Sequence, residues 1–464
     1  MSSAHYDLAV IGTGSGNTIV DERFADWRVA IVEEGKFGGT CTNVGCIPTK
    51  MFVYPADVAV AAADGPRLGI ETASRGAHWP LIRDRIFGRI DSIEASGRAY
   101  RTERSPNVTV YDKHCRFIAD RTLDTGTGDT ITADQVVIAA GDRAIVPDVP
   151  GLADVPFHTS DTIMRIDDLP RRLAILGGGF IAAEFAHVFY AYGTQVTVVV
   201  RSERMLRGHD EDVSTAFTEQ AKRQWDVRLC TSVEQVQRAG EGISMQLSDS
   251  TTVEADLLLV ATGRRSNGDL LDLSKAGVET DEDDVVLVDE FQRTSAPGVW
   301  ALGDIANHLG LKHVANHEAR VVQHNLLHPD DLIASSHHAV PYAVFTHPQV
   351  ASVGLTEQEA RVGHIPYVAA TQQYADTAYG WAMEDTTGFA KLLADPDTGH
   401  ILGGHFLGPQ ASNLVQPVVS AMAFGKTAHE FARGQYWIHP ALMEVTENAL
   451  LAVDGRARSG RSGQ

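Results

Sequence analysis

Tyr6-Asp7-Leu8-Ala9-Val10-Ile11-Gly12-Thr13-Gly14-Ser15-Gly16-Asn17 joins a short apolar run to a cluster of three glycines. The run reads as a strand. A helix-like segment and a second apolar strand, Val29-Ala30-Ile31-Val32, follow, so the stretch is expected to form a βαβ unit. Gly12 and Gly14 allow a tight turn and let a pyrophosphate approach backbone N–H groups at a helix N-terminus, with Ser15 and Gly16 completing the loop. Glu33, ~20 residues on, is placed to accept from a ribose 2′-hydroxyl. One position departs from the pattern: Asn17 stands where glycine or alanine usually packs helix against strand.

A second copy lies further along. Leu173-Ala174-Ile175-Leu176 leads into Gly177-Gly178-Gly179-Phe180-Ile181-Ala182-Ala183-Glu184, with small Ala182 in the packing position. Two such loops imply two dinucleotides. The next strand, Gln195–Val200, ends in Arg201, with Arg207 close behind, rather than in an acid. Guanidinium groups suit the 2′-phosphate of NADP, whereas a carboxylate would take the free hydroxyl of NAD.

Between the two units stands Gly38-Gly39-Thr40-Cys41-Thr42-Asn43-Val44-Gly45-Cys46-Ile47-Pro48-Thr49-Lys50, which holds two of the four cysteines. Cysteines with four residues between them can close a disulfide on the first turn of a helix, where free N–H groups lower a thiol's pKa. As a mere staple, so small a loop adds only roughly 2 kcal/mol, which a chain with several cores has little need of. A zinc site would want a second close pair, and none exists. A redox pair is the expectation. Cys115 and Cys230 fall in strand-like runs and are expected to be inert buried thiols.

The 464 residues predict roughly three domains at ~150 each. A net charge of −21 disfavours nucleic acid and anionic membranes as partners. The N-terminus runs straight into a strand with no signal sequence, and no long apolar run follows, so the expected location is the cytoplasm. In that reducing compartment a lasting disulfide is unusual, and a Cys41–Cys46 bond would be catalytic. His313, His317 and His324 share a helical face that could present metal ligands, but a packed helix is the expectation.

With Ala261-Thr262-Gly263-Arg264 and Gly303-Asp304 following in order, the chain resembles the class I pyridine nucleotide-disulfide oxidoreductases, the glutathione reductase type, over nearly its whole length. The resemblance implies an α/β fold of two Rossmann-like dinucleotide-binding domains plus a C-terminal α+β dimerisation domain. The boundaries expected are 1–150 and 268–338 for the FAD-binding and central region, 151–267 for NADPH, 339–453 for the interface, and a disordered tail over 454–464. The first loop, Glu33, Thr40 and Gly141 would hold FAD, with Asp304 at its ribityl chain. The second loop (Gly177, Gly179, Ala182), Arg201, Arg207 and Gly263 complete the cofactor-binding set. Lys50, paired with Glu184, would sit by the flavin.

Trp437-Ile438-His439-Pro440-Ala441-Leu442-Met443-Glu444 resembles the family's catalytic segment, in which a glutamate orients a histidine that exchanges protons with substrate sulfur. In the family this dyad serves the other subunit's disulfide, which implies a homodimer. An NADPH-dependent disulfide reductase follows, with a small-molecule disulfide as substrate.

Substrate choice is read from departures. Glutathione reductases carry an arginine on the helix after the first loop, facing substrate carboxylates, and here Glu22 and Asp21 stand at that place. The segments Tyr379–Asp385 and Arg433–Ile438 are also unlike glutathione or lipoamide enzymes, and their Trp and Tyr faces suit sugar rings, although core or dimer packing is the commoner use of such residues. Arg201 and Arg207 speak against an NAD-linked dihydrolipoyl dehydrogenase. A non-catalytic NADPH-sensing flavoprotein would not need Cys41, Cys46 and His439 together.

Overall fold

The computed structural model describes residues 3–461. Its first layer is a parallel sheet in the order Val108–Tyr111, Val29–Val32, Ser3–Ile11, Thr130–Ile138, with Val299–Ala301 joining the last strand. Val29–Val32 is buried at every position, as befits a parallel strand covered on both faces. The register aligns Ile11 with Val32 and Ile138, and Ala301 with Ile138, so the strands end together. Gly12, Glu33, Ala139 and Leu302 therefore gather along one sheet edge, at the switch point where open α/β sheets bind ligands.

A second parallel sheet repeats the arrangement: Asp226–Arg228, Gln195–Val199, Arg172–Leu176, Leu257–Val260. Leu176 pairs with Val199 and Val260, which brings Gly177, Val200 and Ala261 to its own ligand edge. The short antiparallel pair Asp142–Ala144 and Arg264–Ser266 stitches the two units together. The third layer is an antiparallel sheet of five strands running from Pro341 to Gly408, covered by the helix Met443–Arg461.

The structure departs from three expectations. No α-helix follows the first glycine loop; Gly16–Thr18 and Glu22–Phe24 form two 3-10 turns instead. The cause is competition for carbonyls. Arg101, only 6 % exposed on the helix Trp79–Glu103, donates to Asn17 Oδ1, Asn17 O and Val20 O at 2.7 Å each, and Gln323 Nε2 takes Ile19 O. A helix would need those same carbonyls for its own i to i+4 bonds. Asn17 is thus an anchor for arginine where a helix would have needed a small contact. Glu22 and Asp21 do not lie on a helix facing substrate: Asp21 caps the second turn and pairs with Arg23.

The second departure is the tail. The last helix runs on to Arg461, because Val453 and Ala457 stay on its buried face and Asp454 binds both His429 and Arg458. The remaining residues, 462–464, lie outside the described part. Third, Cys230 is exposed in a turn with a left-handed backbone, φ 53°. Its strand ends at Arg228, too early to carry the thiol into the core. Cys115 is buried, and burial pushes its thiol up to about 12.

Candidate active site

One cavity of about 1600 Å³ is lined by both glycine loops, Cys41, Cys46, Lys50, Glu184 and Asp304. That volume exceeds the roughly 300–1,000 Å³ of a single small-molecule site and fits two cofactors end to end. Its walls are shaped for close backbone approach. A side chain at Gly12 (φ +100°) would put Cβ 2.3 Å from Ala139 O, and one at Gly177 (φ +126°) would put it 2.1 Å from Ala261 O. Gly39, just ahead of the cysteines, packs against Gly14 so tightly that a Cβ would meet its Cα at 2.7 Å. The loop and the redox segment thus share one backbone contact.

Glu33 is held in place before any ligand binds. Its carboxylate accepts from the Thr13 amide (2.8 Å), the Thr13 hydroxyl (2.6 Å) and the Gly35 amide (2.8 Å). Thr40, Gly141 and Gly263 line the same cavity, as do Arg201 and Arg207, which lie exposed at the second loop. Leu206 N–H donates to Gly178 O at 2.7 Å and ties the arginine segment to that loop. Ala182 is fully buried in the helix Phe180–Ala191, as its small size requires. The residues present therefore fit a flavin dinucleotide at the first edge and a 2′-phosphorylated nicotinamide dinucleotide at the second.

Cys41 belongs to the short helix Gly39–Asn43, and Cys46 opens the long helix Cys46–Asp64. Both are free thiols joined by a hydrogen bond. A hydrogen bond from the Cys46 thiol, with help from Lys312 and the Cys46 and Ile47 amides, pulls Cys41 down to about 7 against the opposing effect of burial. The same hydrogen bond, together with burial, pushes Cys46 up. One turn on, Lys50 Nζ lies 2.7 Å from both Glu184 oxygens, and the Phe345 amide also donates to Glu184. Asp304 is pushed up to about 6 by burial and by Asp142, with Arg264 and Lys312 opposing.

His439 Nδ1 lies 2.7 Å from Glu444 Oε1, so the expected dyad is formed. It is not formed at this chain's own cysteines. The His439 side chain is 71 % exposed, and neither dyad residue lines the cavity that holds Cys41 and Cys46. Its sequence neighbours Ile438, at 76 %, and Tyr436, at 103 %, are also exposed. Trp381 is exposed as well, its indole N–H donating to Ala375 O. The three histidines of the central helix do not converge: His313 meets Pro341 O, His324 meets Asp331 O, and no candidate metal cluster occurs among the described residues.

Three functional contacts escaped the sequence reading. A second pairing, His187 with Asp57 at 2.9 Å, joins the Cys46–Asp64 helix to the Phe180–Ala191 helix beside Lys50–Glu184. Buried Lys391 of the third layer gathers Asp210, Asp212 and Glu357 just behind Arg207. Lys312 Nζ donates to Ser15 Oγ in the first loop at 2.8 Å. Only the last had a local signal: a lysine in the first turn of a helix opposes the helix dipole and calls for a reason.

These features define an enzyme that moves electrons between a pyridine nucleotide and a disulfide. The chain belongs to the pyridine nucleotide-disulphide oxidoreductase family, whose sequence profile matches residues 6–319, while the family's dimerisation domain matches residues 340–450. It is a flavoprotein disulfide oxidoreductase using FAD and NADPH, and it carries the domain through which the family forms homodimers. The chain is 53% identical over 457 residues to a protein named mycothione reductase from Mycobacterium tuberculosis, covering 97% of this chain and 99% of that one. It is 32% identical to a glutathione reductase from Burkholderia cepacia, over 96% and 98% of the two chains. Among solved structures, the HOCl-induced flavoprotein disulfide reductase RclA from Escherichia coli superposes with a TM-score of 0.85 at 27% identity, covering 97% and 100%. No helix among the described residues is long and apolar enough to cross a membrane.

Proposed function

We propose that the chain reduces the disulfide of mycothiol with NADPH, as an obligate homodimer in the cytoplasm, with no nucleic-acid partner. The observation that carries the substrate is 53% identity across 97% of the chain to a mycothione reductase, against 32% to a glutathione reductase. The domain division follows that reading: 1–150 with 268–338 for FAD, 151–267 for NADPH and 339–453 for the dimer.

FAD bound at the first edge would supply two-electron transfer from NADPH hydride to the Cys41–Cys46 disulfide. This chain's residues do the rest. Glu33, Thr40, Gly141, Asp304 and the loop Gly12–Gly16 hold FAD; Gly177, Gly179, Ala182, Gly263, Arg201 and Arg207 hold NADPH. Glu184 holds Lys50 Nζ at 2.7 Å, one turn beyond Cys46, the sulfur that would take electrons from the flavin. The Cys41 thiolate attacks one sulfur of the substrate disulfide, forming a mixed disulfide and releasing the first thiolate. The partner subunit's His439, oriented by its glutamate, gives that thiolate a proton. The Cys46 thiolate then attacks Cys41 Sγ, which restores the internal disulfide and releases the second thiolate, protonated from solvent. One disulfide, one NADPH and one proton become two thiols and NADP⁺.

The test is NADPH oxidation with mycothiol disulfide, glutathione disulfide and lipoamide side by side. Mycothiol disulfide should give the highest kcat/KM, and equal or faster turnover of glutathione disulfide would contradict the assignment.

A further inference from the structure

The first loop lacks the device that glycine loops ordinarily use for phosphate. A dinucleotide's diphosphate is usually met by the N-terminus of a following helix, whose aligned dipoles and free amides supply positive charge. Here the loop runs into a three-residue turn, with Asn17 O and Val20 O occupied by Arg101. Another cation occupies the same place. Lys312 Nζ donates to Ser15 Oγ at 2.8 Å, and Ser15 Oγ donates to Asn316 Oδ1 at 3.1 Å. Whereas Lys36, Lys50, Lys222, Lys275 and Lys391 each form an ion pair with a carboxylate, Lys312, like Lys113 and Lys426, forms none among the described residues, although its charge acts on Asp304 and Cys41. It stands at the first position of the helix Lys312–Leu327, where the dipole disfavours it, half-buried in the cavity wall.

We propose that Lys312 is a positioning residue for the FAD diphosphate, replacing with a side-chain charge the helix dipole that the first loop has lost. An unpaired ammonium on a glycine loop is costly in isolation and favourable once an anion arrives. The proposal rests on the assignment of the first loop to FAD.

The experiment measures binding of FAD and of riboflavin to the FAD-free protein by flavin fluorescence, with NADP⁺ saturating the second loop. Lys312→Met and Lys312→Gln should both weaken FAD by roughly 10- to 100-fold, the scale of a charge-assisted hydrogen bond, while riboflavin, which has no phosphate, is unchanged. Lys312→Arg should restore most of the FAD affinity. Unchanged FAD affinity in the Met and Gln variants would overturn the proposal, and so would an equal loss for riboflavin, which would mark a structural role. A Gly12→Val variant that still bound FAD would overturn the loop assignment itself, which separates that failure from a failure of the lysine.

Discussion

The first glycine loop runs into a turn of three residues, whereas the second opens a helix of twelve. Both follow a buried parallel strand, and both make their tight turn with a glycine whose Cβ would collide with a carbonyl from the neighbouring strand end. The shared part is steric, so it reads directly from sequence. The divergent part is electrostatic and depends on what other elements bring. At the second loop, the helix Phe180–Ala191 supplies the amides and the segment after Val200 supplies two arginines. At the first, the work of a helix is divided between Arg101, which holds the chain, and Lys312, which carries charge.

The largest effect should come from the shared feature. Gly12→Val should abolish FAD binding and Gly177→Val should abolish NADPH binding, each leaving the other cofactor's site intact, as read by flavin absorbance and by NADPH titration. Loss of both cofactors in either variant would break the view that the two edges are separate sites. Next, replacing Arg201 and Arg207 together by alanine should cut the preference for NADPH over NADH by roughly 10- to 100-fold, through KM rather than kcat.

A smaller effect is expected at the first loop. Arg101→Met leaves two carbonyls and Asn17 without their donor, so amide exchange across 17–25 should quicken and FAD should bind about tenfold more weakly, with NADPH affinity unchanged. Unaltered exchange there would mean the turns hold themselves. The smallest concerns pH. Because hydrogen bonding pulls Cys41 down to about 7, alkylation of the reduced protein by iodoacetamide should rise with pH through a midpoint near 7. Removing the Lys312 charge takes away stabilisation of the thiolate, so Lys312→Met should move that midpoint upward.

Much of this is legible in the sequence. The strands, both loops, the cysteine spacing and the pair His439–Glu444 sit in local patterns, while Lys50–Glu184, 134 residues apart, is expected from the family resemblance; each pair comes together at 2.7 Å. What sequence missed came from afar. Arg101 lies 84 residues from Asn17, and its guanidinium removes carbonyls that local propensity would have given to a helix. Lys312 lies 297 residues from Ser15. Cys230 misled because its apolar surroundings suggested a strand that ends two residues too soon. The tail misled because its polar composition hid Ala457, which continues the buried face of Val453 one helical turn on.

Electrons entering from NADPH are expected to pass through the flavin to the Cys41–Cys46 pair. Anaerobic titration of the FAD-loaded enzyme with NADPH, followed at each step by alkylation and mass measurement, tests it most directly. The account predicts that the first equivalent per chain makes both cysteines alkylatable while the flavin ends oxidised, and that only further equivalents bleach it. A flavin fully reduced by the first equivalent, with Cys41 and Cys46 still closed to alkylation, would contradict it.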